Sequence, residues 1–349
     1  MGIRVSRKAN ANTSKYDLKQ ADEKVAAYLD SLEDAIEGDR KAQGKKPLKS
    51  KLSEQPPKTK DTKISRTDPD SGYMVREGKP KGFFYLDHRT VDGRNAIITD
   101  SYATPANLHD SRPYLDRLDR QCERFGFDVW GVGLDAGYYT AGICKGLEDR
   151  GLYGVMGYRR PNKPKGYLPK RAFTYDPETN SYRCPQGQQL IYATTNRLGY
   201  REYKSNPTNC KDCPLLSQCT RSANHVKVLT RHVWQDSKDR TDSYRLTPWG
   251  KALYKRRQET VERSFADAKQ LHGHRYARLR GLSKVREQCL LAAAAQNMKK
   301  IAQILARLLW LKSFGMPDLQ GQIRKWARKM ACLAYWQSDR EYWAQSIAN

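Results

Sequence analysis

Two acids and four cysteines are the residues of this chain whose types and spacing could do chemistry. Asp135 closes the short apolar run in "FDVWGVGLDAGYYT" (127–140). An acid at the end of a buried strand is where α/β sheets expose catalytic groups, although an Asp there also serves as an ordinary turn or helix cap. Glu262 lies in "RRQETVERSFADAK" (256–269), on a basic stretch of helical pattern. Residues three or four apart share a helix face. At those spacings Glu259 meets Lys255, Arg256 and Arg263, and Asp267 meets Arg263, whereas Glu262 meets only Gln258, Glu259, Phe265 and Ala266. The spacing thus predicts that Glu262 has no cation on its own helix and borders the apolar stripe of Val261, Phe265 and Ala268.

If Asp135 and Glu262 converge, their charges repel unless a cation sits between them. Oxygen ligands with retained waters suit Mg²⁺ or Mn²⁺. In a basic chain such an ion points to phosphodiester chemistry, where two ions about 4 Å apart activate the attacking oxygen and stabilise the leaving one. That scheme calls for a third acid.

The cysteines Cys184, Cys210, Cys213 and Cys219 follow a C-x25-C-x2-C-x5-C spacing, with Cys-Pro-x-Gly and Cys-x2-Cys turns that can wrap a metal. Four thiolates suit a structural Zn²⁺. A disulfide pair and plain reduced thiols are the other readings, the former disfavoured in a cytosol. Cys122, Cys144, Cys289 and Cys332 stand singly in apolar or helical pattern and read as core residues.

The elements that must position these groups are legible in outline. Residues 16–43 carry an amphipathic helical pattern, and 44–64 read as a flexible basic loop rich in Lys and Pro. The runs 82–91 and 95–104 read as strands joined at Asp92-Gly93, a hairpin signal. A helix over 110–125, a strand ending at Asp135, a helix beginning near Thr140 and a strand over 153–160 complete an α/β or mixed-sheet unit. Residues 161–249, richer in Pro, Gly, Tyr and Asn, read as an inserted module around the cysteines. Helical pattern, densely basic, resumes at about 248 and runs to 312, and 313–349 form a Trp-rich amphipathic tail.

The 349 residues carry a formal charge of +26, from 64 Lys and Arg against 38 Asp and Glu, which favours a polyanionic partner. Nucleic acid is the first expectation. No run of about 18 apolar residues is present, and the start lacks a signal peptide's apolar core, so the sequence predicts a cytoplasmic protein with no membrane partner.

At Asp135 and Glu262 the chain resembles the DDE transposases of bacterial insertion sequences, in the subgroup with a cysteine-rich insertion. "YKRRQETVERSFADAKQLHGHRYARLRGL" (254–282) resembles the family's segment around its catalytic Glu, "LDAGYYT" (134–140) the block of its second Asp, and 66–85 and 103–111 the blocks between its first and second acids. The resemblance implies an RNase H-like mixed sheet with flanking helices, divided as 1–65, 66–160, 161–249, 250–312 and 313–349. It implies Asp135 and Glu262 as catalytic Mg²⁺ or Mn²⁺ ligands, and double-stranded DNA, both transposon ends and target, as partner. Arg257, Lys269, Arg275 and Arg280, which flank Glu262 in the best-matched block, are the expected DNA contacts. The family's first Asp should fall near Ile3, where the chain reads "MGIRVSRK". The expectation is therefore a truncated or split transposase lacking that acid, nucleoid-associated in its cell, which self-association or an upstream fragment could complete. A DNA-binding remnant without catalysis is the alternative, and an RNA-binding zinc protein a third reading that would call for a stacking aromatic surface.

Overall fold

The structure, a computed structural model, describes residues 2–4, 11–16, 23–48, 60–75, 81–158 and 166–313. In chain order these form β1 (Gly2–Arg4), β2 (Ala11–Tyr16), α1 (Glu23–Ala42), β3 (Lys60–Ser65), β4 (Gly72–Met74), β5 (Gly82–Val91), β6 (Ile98–Pro105), α2 (Tyr114–Phe125), β7 (Gly131–Leu134), α3 (Ala141–Asp149) and β8 (Tyr153–Met156). There follow β9 (Thr174–Asp176), β10 (Ser181–Arg183), β11 (Gln189–Thr195), β12 (Tyr200–Ser205), α4 (Pro207–Cys210), α5 (Leu216–Cys219), β13 (Val228–His232), α6 (Gln235–Tyr244), α7 (Pro248–Arg257), α8 (Arg263–Leu271) and α9 (Leu282–Ser313). The expected tail, from residue 314 onward, lies outside the described residues. So do the loop's residues 49–59.

Strand β5 is the spine of the antiparallel sheet. Its residues Phe83 to Asp87 are all buried, so both of its faces are covered. β1 runs along one edge, with Ile3 opposite Tyr85, while β4 and then β6 follow along the other. Ile3, Phe83, Tyr85, Ala103, Val285 and Cys289 form the core on one face. Each large apolar side chain buried there contributes roughly 1.5–3 kcal/mol. The hairpin from β5 to β6 is present, but β6 begins at Ile98. The Asp92 carboxylate accepts from the amides of Arg94 and Asn95 and so shapes a longer turn than Asp-Gly alone suggests.

β7 and β8 pair in parallel, Gly131 with Tyr153 through Leu134 with Met156, and α3 makes the crossover between them. Thr140 caps α3 by accepting from the Ile143 amide, which fixes where the chain turns after Asp135. Leu118 of α2, Leu134, Ile143, Leu147 and Met156 close a second core.

Three expectations are corrected. Lys60–Ser65, which overlaps the end of the stretch read as a flexible loop, is a strand paired antiparallel with Ala11–Tyr16. Its polar sequence hid a pairing made by backbone hydrogen bonds. The module expected over 161–249 is a five-stranded antiparallel sheet, β13-β12-β11-β10-β9, folded around Phe173, Tyr182, Leu190, Tyr203 and Leu229. It ends near His232, because α6 lies against α3 and β8 instead. The basic helical stretch is also interrupted: residues 272–281 form a loop between α8 and α9. By contact the chain divides into Met1–Ala293 and Ala294–Asn349. In the second unit the described residues continue α9, with Met298, Ile301, Leu305 and Trp310 exposed.

Candidate metal-binding acid site

Thr247 caps α7 by accepting from the Gly250 amide, with Pro248 at the first helical position. The helix then passes into a π-helical turn, Gln258–Glu262, before α8. The buried Thr260 hydroxyl donates to the Arg256 carbonyl at 2.9 Å, the kind of side-chain insertion that opens a helical ladder. Such turns recur at functional sites.

That extra residue decides which charges meet. On an α-helix, positions five apart diverge by roughly 140°. Across the π turn they approach instead, and Arg257 Nη1 donates to Glu262 Oε1 at 2.6 Å. Sequence spacing predicted no cationic partner for Glu262 on its own helix; the structure supplies one at a distance in sequence that only a π turn brings round. The pairings of Glu259 with Arg256, at 2.9 Å, and of Asp267 with Arg263, at 3.1 Å, are as the helical spacing predicts.

The same guanidinium reaches Asp135. Arg257 Nη2 lies 3.9 Å from Asp135 Oδ2. Asp135 sits immediately past the carboxyl end of β7, where its Oδ1 also caps the following turn by accepting from the Ala136 amide at 2.7 Å. Capping and cleft placement are thus both true of it. Gly157, just past β8, permits this geometry: a Cβ there would stand 2.6 Å from the Tyr254 hydroxyl and 3.1 Å from the Ala136 amide. Asp135 is 65% and Glu262 52% exposed, while Arg257 is only 13% exposed and lies beside the Tyr254 ring. The two acids face solvent over a cation held beneath them.

Asp135 and Arg257 line a cleft shared with Val261, Phe265, Asp110 and Asp100. Asp100 is held by Arg117. His88, also in the cleft, donates to or accepts from Thr104 at 2.8 Å, and burial lowers its pKa to about 4, so it is neutral near pH 7. Of the expected DNA contacts, Arg275 and Arg280 are exposed and Lys269 half-buried, all beyond Glu262 on α8 and the following loop. Arg257 is instead engaged with the two acids.

A buried ionic clamp holds the α8 side of this cleft. Arg89 donates to Asp87 Oδ2 at 2.9 Å and to Ser264 Oγ at 3.0 Å, two residues past Glu262, and stacks on Phe265. Asp87 also accepts from His274 Nε2 at 2.9 Å and from Ser101 at 3.1 Å. Burial by itself would raise the Asp87 pKa. The His274 hydrogen bond, then the charges of Arg89 and His274, outweigh it and hold the carboxyl below its usual range.

Asp87, His274 and Cys289 bring ligand atoms within 4.8 Å of one another. In this structure the carboxylate is engaged by Arg89 and His274, and burial pushes the Cys289 thiol up. A lone Asp inside the apolar run "FFYLDHRTV" was the sequence signal for this clamp, since a charge buried in a strand must be paired.

At the far module, the Cys184 turn and the Cys210–Cys213 turn are tied together, Asn209 Nδ2 donating to Gln188 Oε1 at 2.8 Å. Gly187 N donates to the Cys184 carbonyl and Cys213 N to that of Cys210, two tight turns of the kind that present thiols. Burial raises the Cys219 pKa, Lys227 opposes this, and Cys210, Cys184 and Cys213 raise it further, so the four sulfurs share one neighbourhood. Among the described residues only Asp87, His274 and Cys289 bring three such ligand atoms within 4.8 Å of one another, so the four thiols stand more widely spaced than a closed tetrahedron.

No curated protein and no solved structure matches the chain. Residues 183–302 match the family model described as Transposase DDE domain, a stretch that takes in the four cysteines, Glu262 and the basic loop and leaves Asp135 and the first part of the cysteine module outside. That match supports a DDE transposase.

Proposed function

We propose that the chain is a transposase of a bacterial insertion sequence, with an RNase H-like sheet in which Asp135 and Glu262 hold a catalytic Mg²⁺ or Mn²⁺. The observation that carries this reading is that two acids 127 positions apart, on a strand end and a helix, meet on one cation. Carboxylate oxygens open to solvent fit a hard divalent ion that keeps its waters. When bound, such an ion supplies activation of the attacking oxygen and stabilisation of the leaving one. The chain's own residues do the rest: Asp135 and Glu262 hold and orient it, Phe265 and Val261 wall the cleft, and Lys269, Arg275 and Arg280 hold phosphates beside it.

Where the resemblance calls for a first acid, β1 offers Gly2, Ile3 and Arg4, and Ile3 is wholly buried in the apolar core. This favours a second reading, a DNA-binding protein that does not cut. In the first reading an acid from a second copy or an upstream segment completes the set. Incubation with plasmid DNA and Mn²⁺ separates them: nicking that depends on both the metal and Glu262 supports the transposase reading, and DNA binding with no metal-dependent nicking leaves the second.

Either reading predicts affinity that falls linearly with the logarithm of salt concentration. Arg275→Ala and Arg280→Ala should each reduce that slope by about 1. Unchanged slopes would remove these residues from the DNA surface.

We also propose that Cys184, Cys210, Cys213 and Cys219 draw in from their wider spacing to hold a structural Zn²⁺, for which four thiols on paired turns are a suitable donor set and which would staple a module with a small core. Metal analysis of the purified chain is expected to give one zinc per molecule, lost in Cys210→Ser. Zinc-free protein of unchanged stability would exclude it.

A further inference from the structure

The charge arithmetic of the acid site leads beyond metal binding to its control. Two carboxylates and one guanidinium leave the site with one net negative charge, and the guanidinium lies between the two carboxylates that a divalent ion would share. We propose that Arg257 is a resident counter-ion which the metal must displace, so that this side chain sets the cation concentration at which the site fills. The inference rests on the reading of Asp135 and Glu262 as metal ligands.

Three features of the fold make Arg257 suited to this. It is held from below, 13% exposed and beside Tyr254, so its charge is not dissipated in water. Its two contacts differ, a 2.6 Å hydrogen bond to Glu262 and a 3.9 Å ion pair with Asp135, so one carboxylate is held firmly and the other loosely. And its approach to Glu262 exists only because of the π turn at Gln258–Glu262, a local departure from helix that Thr260 supports. A dication and a guanidinium repel at such separations. Metal entry therefore requires the Arg257–Glu262 hydrogen bond to break, and a site blocked most of the time binds more weakly in proportion to its open fraction.

The test is Mn²⁺ titration of the full chain, read by the electron paramagnetic resonance of free Mn²⁺. Arg257→Met keeps the aliphatic stem over Tyr254 and removes the charge. It is expected to bind Mn²⁺ about tenfold more tightly than the unmodified chain, the effect of a latch closed nine-tenths of the time. Glu262→Gln is expected to lose binding. Equal or weaker affinity in Arg257→Met, with Glu262→Gln still defective, overturns the latch and leaves the acid-pair reading standing. No Mn²⁺ binding by any of the three proteins overturns both. Should Arg257→Met not fold, a crystal of the unmodified chain soaked in Mn²⁺ decides. Arg257 withdrawn from both carboxylates supports the proposal, and an ion bound with the Arg257–Glu262 hydrogen bond intact overturns it.

Discussion

Asp87→Ala lowers the stability of the chain by about 3–5 kcal/mol, the cost of breaking a buried ion pair by removing one partner. The carboxylate and the Arg89 guanidinium are both fully buried, and the substitution removes the anion that the guanidinium meets at 2.9 Å. His274 loses its acceptor at the same stroke. The denaturant midpoint should fall with an unchanged slope. A shift under 1 kcal/mol would contradict the clamp. Asp87→Asn, which keeps the shape, separates charge from packing.

The clamp also fixes a pH dependence. The Asp87 carboxyl titrates below its ordinary 3.8 in the folded chain, so it binds fewer protons folded than unfolded at acid pH. Its stabilisation is then complete above the ordinary value and is lost as pH falls from there through the lower folded value. Urea titrations of the unmodified chain should show stability falling below about pH 4, and that fall should be shallower in Asp87→Asn.

The second large effect is on chemistry. Glu262→Gln and Asp135→Asn each remove a charge from the proposed metal site, and each should lower metal-dependent DNA nicking on the order of 10²–10³-fold, the scale of losing one preorganised electrostatic group. DNA affinity should scarcely change, since the cations proposed to hold phosphate are other residues, Lys269, Arg275 and Arg280. Glu259→Gln is the matched control: Glu259 is three residues away and pairs with Arg256 on the surface. Equal loss in Glu259→Gln would mean that the effect is one of overall charge.

The β5–β6 strands, the strand leading to Asp135 and the helix start near Thr140 were legible in sequence, because each is announced locally by alternation, an apolar run or a change of pattern. The ion pairs of Glu259 and Asp267 were legible for the same reason, as 3.6-residue geometry holds on both sides of the site. It fails at Glu262 itself, where the π turn moves Arg257 into contact, and nothing in residue types alone marks that turn. The tyrosine-lined core of the cysteine module was illegible because its strands are short and its interior rings also carry hydroxyls, Tyr203 donating to Asn180. The pairing of β2 with β3 was missed for a related reason, since polar strands joined over a long separation leave no periodic trace.

The central claim is that Asp135 and Glu262 share one divalent ion. Its most direct test is the Mn²⁺ bound per chain at fixed free Mn²⁺, measured for the unmodified protein, Asp135→Asn and Glu262→Gln. Binding in the first and its loss in both variants is the predicted result. Either variant retaining the unmodified affinity would contradict it.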